Sequence, residues 1–255
     1  MMFSSSRSPL RRAGPAPVIA RFNALAKLNA NEANVLARLD DWRWDPPGSE
    51  LVRDRTAWLP RVLVSGWAAR VRWLDDGRRQ IIGLILPGDG IGLCRRPQPL
   101  DLCPLLALTP VQTLDASPIM RAVQDETDYA RLSHAVNIAA ALDEAWLMEQ
   151  VVRLGRLTAY ERVAHLILEV RARLRVLGPE VDGKIPFPLT QEILADVTGL
   201  SLMHVNRTLQ QLRREKLIEL GQGRLKIIDV QALMDLSGFR EPRPDAWIFE
   251  KSCWI

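Results

Sequence analysis

The sequence predicts an α+β fold in which a β-barrel or sandwich is followed by one long helix and then by a winged helix-turn-helix. Three observations lead to this prediction. Between Trp42 and Ile119, short apolar runs alternate with clusters of Pro, Gly and Asp. From about residue 125, Pro and Gly are absent until Gly155, while apolar residues recur at helical spacing. Residues 189–228 combine two short helical patterns with a hairpin pattern.

The composition is that of an ordinary globular protein with a small excess of positive charge. The chain has 255 residues, a formal net charge of +4 and a pI near 9.2, which permits a polyanionic partner without requiring one. No stretch approaches the roughly 18 uninterrupted apolar residues of a membrane-spanning helix. Cys94, Cys103 and Cys253 are too few and too widely spaced for a disulfide framework. We therefore expect a cytoplasmic protein without a membrane partner.

Residues 1–18 are rich in Ser, Arg and Pro and contain no acidic residue. This composition does not build a core, so we predict a flexible basic tail. An organelle transit peptide of similar composition is the alternative.

The β-rich region contains apolar runs at 61–66 and 80–86 that have the length of short strands. Asp76 and Gly77 lie between two such runs, and an Asp-Gly pair favours the positive φ angles of a primed hairpin turn. The region is also rich in tryptophan, which we interpret as core or interface material rather than as a cofactor site. These tryptophans are Trp42, Trp44, Trp58, Trp67 and Trp73.

A helix of roughly 25 residues is predicted over residues 125–154. Six positions along it approximate a heptad seam, with small residues in the middle that would let two such helices approach closely. These positions are Leu132, Ala135, Ala139, Leu142, Trp146 and Glu149. The alternative is an amphipathic helix packed on its own barrel, which explains the spacing almost as well.

A second helix is predicted after an interruption at Gly155. Thr158 and Glu161 have the spacing of a capping box, in which each residue satisfies a backbone N–H of the other. Gly178 and Pro179 are expected to end this helix near Leu177.

Residues 189–214, LTQEILADVTGLSLMHVNRTLQQLRR, have the pattern of a helix, a turn and a second helix. Ala195 is small where the two helices must cross, and Gly199 suits a left-handed turn between them. Five apolar side chains are predicted to hold the pair on a shared core, namely Leu194, Leu200, Val205, Leu209 and Leu212.

The outward side of the second helix is predicted to face DNA. On a helical wheel it carries Arg, Asn and Gln, whose donors and acceptors match base edges in the major groove. The residues on this side are Met203, His204, Asn206, Arg207, Gln210 and Arg214. Ser201 at the helix N-terminus suits a backbone phosphate, and Thr190 and Gln191 complete the predicted contacts of the first helix. A plain solvated helix is the alternative.

Two short apolar runs around Gly221, Gln222 and Gly223 predict a β-hairpin wing behind the two helices. Arg224 and Lys226 lie on the second run, from which their side chains can reach phosphate. The wing therefore adds to the predicted DNA surface.

These parts together resemble the Crp/Fnr family of bacterial transcription regulators over about residues 20–238. The resemblance is carried by LTQEILADVTGLSLMHVNRTLQQLRREKLIELGQGRLKII, by LVSGWAARVRWLDDGRRQIIGLILPGDGIGL and by LGRLTAYERVAHLILEVRARL. It implies a β-roll or jelly-roll sensor domain and a homodimer joined through the long helices. It further implies two recognition helices in successive major grooves of a palindromic operator, with RNA polymerase as a further partner.

The resemblance also suggests how the chain is divided. We expect a flexible tail at 1–18, a sensor-like β-roll at 19–124, a dimerisation helix at 125–154, a winged helix-turn-helix DNA-binding domain at 155–238 and a C-terminal tail at 239–255.

The recognition helix matches the family only in part. Arg207 stands at the position of the family's base-reading arginine. Leu202 and Met203 stand where cyclic-AMP-responsive members carry charged base readers. The operator is therefore expected to differ, with His204 and Asn206 taking over part of the reading.

The sensor half lacks the residues with which cyclic-nucleotide members hold a phosphate, a Gly-Glu pair and an Arg-Ser or Arg-Thr pair. Here Leu93 follows Gly92, and no Arg-Ser or Arg-Thr pair occurs between Leu93 and Pro118. We therefore expect no response to cyclic AMP. Arg95 and Arg96 are interpreted as solvated turn residues rather than as an anion site.

No cofactor and no metal site are predicted. Three cysteines cannot supply the four thiolates of an iron–sulfur cluster, and His134 and Cys94 are better explained as ordinary residues than as haem ligands. The sequence also lacks the motifs of an enzyme, such as a phosphate-binding glycine loop or a nucleophile elbow. The remaining alternative is a regulator without an effector, or an architectural protein whose barrel is a dimer or partner platform.

Overall fold

The computed structural model describes residues 12–51, 60–93 and 104–242. Two helices, α1 (Ala16–Ala26) and α2 (Ala30–Ala37), precede the first strand. Helix α1 begins inside the segment 1–18 that was expected to be a tail. Pro17 lies in its first turn, where a missing N–H breaks no helical hydrogen bond. Residues 1–11 of the predicted tail lie outside the described residues.

Two antiparallel sheets follow and confirm the β-rich first half. In the described ranges their strands are β1 (Trp42–Asp45), β2 (Arg61–Ser65), β3 (Ala68–Trp73), β4 (Arg79–Ile85), β5 (Gly90–Ile91), β6 (Leu105–Ala107) and β7 (Val111–Asp115). One sheet has the strand order β1-β7-β2-β5 and the other β4-β3-β6. Side chains of both sheets bury together between them, among them Leu63, Ala68 and Val111.

The turn between β3 and β4 differs in type from the prediction. The N–H of Gly77 donates to Leu74 O at 3.0 Å, and the N–H of Leu74 donates to Arg78 O at 2.8 Å. Of the Asp76-Gly77 pair only Gly77 has a positive φ, +82°. The loop is therefore a three-residue turn ending in a left-handed glycine, and the two-residue primed turn is wrong.

The predicted long helix is present. After α3 (Ser117–Ala122), helix α4 spans Ala130–Arg156 and helix α5 spans Ala159–Arg175. The interruption expected at Gly155 is wrong, because α4 continues through this residue and ends where Leu157 becomes extended. The capping box of α5 is confirmed: Thr158 N–H donates to Glu161 Oε2 at 2.7 Å, and Glu161 N–H donates to Thr158 Oγ1.

Glu32 fastens the start of α4 to the N-terminal helices. Its Oε1 accepts the N–H groups of Arg131 and Leu132, at 2.8 and 3.0 Å, which are otherwise unpaired in a first helical turn. Its Oε2 accepts the N–H of Asn29 and so closes a capping box on α2. The carboxylate is fully buried, with all of these donors around it.

The inner side of α4 packs against the rest of the chain. Four of the six positions predicted as a dimer seam are at most 8% exposed and lie in the chain's own core, namely Leu132, Ala135, Leu142 and Trp146. For these side chains the structure favours the alternative of a helix packed on its own barrel. Ala139 and Glu149 are half-buried.

The opposite side of α4 carries apolar side chains that the chain leaves uncovered. We call Leu147, Met148, Val151 and Val152, which are 47–65% exposed, the α4 outer stripe. Along this side, residues follow one another at alternating steps of three and four positions, namely Ala141, Glu144, Met148, Val151 and Gly155. A heptad-like seam is thus present on the outer side of the helix. None of the described helices is long and apolar enough to cross a bilayer.

The C-terminal region is a winged helix-turn-helix, as predicted. Its elements are β8 (Lys184–Pro186), α6 (Gln191–Thr198), α7 (Leu202–Arg214), β9 (Ile218–Gly221), β10 (Arg224–Ile227) and α8 (Val230–Ser237). The strands form one antiparallel sheet of order β8-β10-β9. Phe187, which follows β8, packs edge-on against Trp67, with ring centroids 6.4 Å apart. The β-rich half and the C-terminal region therefore share one hydrophobic core.

Candidate nucleic-acid interface

Local backbone chemistry fixes the bend between α6 and α7. Thr190 caps α6 by accepting the N–H of Ile193 at 3.2 Å, and Ser201 caps α7 by accepting the N–H of His204 at 3.3 Å. Gly199 ends α6 in the left-handed conformation, with φ of +64°. A Cβ at this position would also lie 3.2 Å from Leu154 of α4. Both observations explain why glycine stands there.

The buried side of α7 agrees with the helical-wheel prediction. Val205 and Leu212 are fully buried, and Leu209 is 3% exposed. Thr208, which the wheel did not single out, is also buried. Leu194 and Ala195 of α6 lie in the same core. The orientation of α7 is therefore fixed by contacts along its whole inner side.

The opposite side of α7 and the N-terminal end of α6 are exposed to solvent. Every predicted DNA-contacting residue of the two helices is exposed, namely Thr190, Gln191, Ser201, Met203, His204, Asn206, Arg207, Gln210 and Arg214. Arg207, Gln210 and Arg214 make no side-chain hydrogen bond or ion pair to the described part of the chain. Helix α7 contains three arginines and no acidic residue. Free donors on a positively charged helix suit a polyanionic duplex.

Two of the predicted readers are held in place by neighbours. Asn206 Nδ2 donates to Gln191 Oε1 at 3.3 Å, which links the two helices across the bend. His204 Nδ1 lies 2.8 Å from Ser201 Oγ. The imidazole and the amide are thereby oriented while they stay exposed, which lowers the entropy cost of a contact.

The wing contains a turn of the primed type. Gly221 pairs with Arg224, and the two residues between them, Gln222 and Gly223, have φ of +52° and +69°. Arg224 is exposed, and Lys226 is half-buried. Arg213 Nη2 donates to Leu220 O at 2.8 Å and ties the end of α7 to the wing. This contact joins residues on two separate elements, so no local sequence pattern predicts it.

Comparison with known proteins decides the family. Residues 161–236 match the Crp-like helix-turn-helix domain. The chain is 29% identical over 187 residues to the transcriptional activatory protein AadR of Rhodopseudomonas palustris, covering 73% of this chain and 77% of that protein. The protein belongs to the Crp/Fnr family of transcription regulators. As a Crp/Fnr regulator it is a DNA-binding transcription regulator, and the family is not one of enzymes.

Two further comparisons cover more of the molecule. The protein is 28% identical to the transcriptional activator protein FnrL of Cereibacter sphaeroides, covering 90% of this chain and 93% of that one. The solved structure of FixK2 from Bradyrhizobium japonicum is 26% identical, with a TM-score of 0.65, and the match covers 79% of this chain and 98% of that chain. The Crp/Fnr fold is thus shown beyond the helix-turn-helix itself.

A network of buried charges joins the β-rich half of this Crp/Fnr regulator to α5. Arg173 donates to Asp89 Oδ2 at 2.6 Å, to Glu169 Oε1 at 3.1 Å and to Leu84 O at 2.9 Å. Arg153, which is 1% exposed, pairs with the other oxygen of Glu169. Each buried charge has a partner, as burial requires. The two guanidinium groups lower the pKa of the Glu169 carboxyl below its usual value, despite the opposing effect of burial.

A cavity of about 330 Å³ lies beside this network, between β4, α4 and α5. Arg173 and Trp146 are among its lining residues. The Arg173 Nε and Trp146 Nε1 atoms are buried and have no hydrogen-bond partner among the described residues. Buried donors of this kind usually meet an acceptor, either water or a ligand.

The described residues contain no group of three or more His, Cys, Asp or Glu side chains placed to hold a metal ion. Cys94, Cys103 and Cys253 lie outside the described residues, as do Arg95 and Arg96. The expectation that the protein holds no iron–sulfur cluster therefore stays a prediction from the sequence.

Proposed function

We propose that this Crp/Fnr regulator binds a palindromic operator as a homodimer, with one α7 in each of two successive major grooves. The observation that carries the proposal is the outer side of α7, where Arg207, Gln210 and Arg214 are exposed and unpaired among the described residues. Guanidinium and amide groups read guanine and adenine edges in pairs of hydrogen bonds. Arg207 is assigned a base contact, as the family resemblance implies.

Phosphate contacts are assigned to the residues that surround this reading surface. Thr190, Ser201 and Arg224 are exposed at the ends of helices or on the wing, and Lys226 lies beside Arg224 on β10. Helix N-termini and basic side chains hold the register of a protein on the duplex, while the base contacts specify the sequence.

We place the dimer seam on the α4 outer stripe rather than on the inner side of α4. Four apolar side chains exposed on two turns of one helix form a patch that a second copy can cover. The large apolar side chains of the heptad seam predicted from the sequence, Leu132, Leu142 and Trp146, lie on the inner side, where the chain already buries them. Leu147 and Val151, which were also expected to be buried in the dimer, belong instead to the outer stripe. A stiff shared helix pair also sets the separation of the two recognition helices.

The cavity at the β4–α4–α5 junction is assigned to an effector. Its two unpartnered donors support this, because a ligand with acceptor atoms would satisfy both. A β-roll that serves only as a dimer or partner platform is the alternative. Mass spectrometry of the purified protein under native conditions separates them, since a sensor carries or takes up a small molecule and a platform does not. RNA polymerase as a partner and a cytoplasmic location complete the proposal.

Sedimentation of the protein with a bound operator duplex tests the proposal. The expected complex contains two chains on one duplex, and the free protein sediments as a dimer. A complex of one chain per duplex, or a free protein that stays monomeric at concentrations where it binds DNA, would contradict it.

A further inference from the structure

The C-terminal end of α6 is held by side chains from outside the helix-turn-helix. The last carbonyl groups of a helix have no partner within the helix. In α6 three of them accept side-chain donors: Gln80 Nε2 donates to Asp196 O at 2.7 Å, Gln150 Nε2 to Val197 O at 2.7 Å and Arg162 Nη1 to Thr198 O at 3.1 Å.

These donors come from three separate elements. Gln80 lies on β4 of the sensor half, Gln150 on the long helix α4, and Arg162 on α5. Arg79, the neighbour of Gln80, also pairs with the side chain of Asp196, its Nε lying 2.7 Å from Oδ2. We call Arg79, Gln80, Gln150 and Arg162 the α6 clamp. It connects the sensor half and the long helix directly to the DNA-binding motif.

The amide of Gln150 has a fixed direction. Its Oε1 accepts a hydrogen bond from Arg153, and Arg153 pairs in turn with Glu169. Gln150 is 5% exposed and Arg153 is 1% exposed, so water does not compete for these bonds. The Nε2 group of Gln150 therefore points to Val197 O. A shift of α4 would move this donor away from the end of α6 that it holds.

We propose that the α6 clamp positions the recognition helix relative to the sensor half and the long helix. Three residues, 199–201, separate α6 from α7, and Gly199 is confined by Leu154. The direction of α6 therefore sets the direction of α7. This inference rests on the proposed function, in which two copies of α7 must be presented at a fixed separation.

Release of the clamp selectively weakens binding to the operator. A mobile helix-turn-helix must be ordered when both half-sites are engaged, which lowers affinity for the operator. Binding to unrelated DNA depends on the number of positive charges near phosphate and not on half-site geometry, so it changes little.

The Arg79–Asp196 pair gives the first test, because it is part-exposed and its loss spares the core. Arg79→Met, Asp196→Asn and the double variant are measured by fluorescence anisotropy on a selected operator and on a random duplex. Each single variant is expected to bind the operator about three- to twentyfold more weakly than the wild type. The double variant is expected to bind the operator no more weakly than the weaker-binding of the two single variants. Arg78→Met is the matched control, because it removes the same charge from the same hairpin and Arg78 pairs with Asp76 instead.

Gln150→Glu gives the second test. The carboxylate keeps the size of the side chain and an oxygen for Arg153, but it cannot donate to Val197 O. The same selective loss of operator affinity is expected, with urea unfolding used to show that the variant is folded. Unchanged operator affinity in folded Arg79→Met and Gln150→Glu overturns the proposal, as does tighter operator binding or an equal loss on random DNA.

Amide hydrogen exchange provides a readout that needs no operator. Exchange over residues 196–201 is expected to be faster in Arg79→Met and Gln150→Glu and unchanged in Arg78→Met. Exchange that is unchanged in all three variants overturns the clamp. If the wild-type protein shows no preference for an operator over random DNA, the proposed function is overturned, but the exchange measurement still tests the clamp. Failure of the proposed function and failure of the clamp are therefore distinguishable.

Discussion

His165 of α5 and Glu149 of α4 share a hydrogen bond, with His165 Nε2 lying 2.9 Å from Glu149 Oε2. On the other side of the ring, Arg153 Nε donates to His165 Nδ1 at 3.3 Å. The imidazole therefore carries its proton on Nε2 and is neutral. Burial, and then the charge of Arg153, lower the pKa of His165 to about 4. Glu149, predicted at the dimer seam, is instead engaged inside one chain.

Stability is expected to fall as the pH drops below about 6.5. Because the folded pKa of His165 lies below its unfolded value, the unfolded chain takes up the proton first. The stabilisation is complete above pH 6.5 and is lost as the pH falls towards 4. His165→Gln keeps one donor and one acceptor. Between pH 7 and 5, the free energy of unfolding of this variant is expected to fall by roughly 1 to 2 kcal/mol less than that of the wild type.

Urea unfolding at fixed protein concentration measures this difference. Burial raises the pKa of Glu149, which acts in the opposite direction in both proteins and so largely cancels in the comparison. Equal losses for the two proteins would show that His165 does not contribute to the pH dependence.

Arg207→Ala is expected to cost about 1 to 3 kcal/mol of binding free energy on the operator and to relax the preference at one base pair. The reason is the loss of a paired hydrogen bond to a base edge. Competition binding against single-substitution operators measures both effects. Arg121→Ala is the control, because Arg121 is exposed on α3, outside the helix-turn-helix. A uniform loss on all sequences would mean that Arg207 touches only phosphate.

Val151→Glu is expected to weaken self-association and operator binding together. Val151 is 65% exposed in one chain, so the charge is tolerated in a monomer but buried without a partner in the dimer. Val181→Glu is the matched control, because Val181 is 62% exposed and lies outside α4. Sedimentation and anisotropy give the two readouts. A Val151→Glu protein that dimerises and binds normally would place the seam elsewhere.

Cyclic AMP is expected not to bind. The glutamate with which cyclic-nucleotide members hold the phosphate is replaced by Leu93, and no Arg-Ser or Arg-Thr pair occurs between Leu93 and Pro118. Part of this stretch, residues 94–103, lies outside the described residues. Titration calorimetry with cyclic AMP should show no saturable heat. Tight binding would mean that other residues of the roll hold the phosphate.

The helix-turn-helix was predictable because its signals are local. Thr190, Gly199 and Ser201 mark the helix ends within a dozen positions of one another, and each has the backbone role that its residue type favours. Helix α2 was missed although Asn29 and Glu32 have capping-box spacing, since α2 is short and follows a segment whose composition predicts disorder.

The burial of α4 and the α6 clamp could not be predicted in the same way. Both sides of α4 have apolar residues at heptad-like spacing, so periodicity alone does not say which side faces the chain. Gln80 and Gln150 lie 116 and 47 positions from the carbonyl groups they contact. Glutamines have no local signal for such a contact, which arises only when the elements pack.

Selection of bound duplexes from a random DNA pool tests the central claim most directly. The account predicts enrichment of an inverted repeat whose half-site centres lie about 10 base pairs apart, one turn of the double helix. Arg207→Ala should relax one symmetric position of that repeat. Enrichment of a single, non-repeated site, or of no sequence at all, would contradict a homodimer that reads DNA through α7.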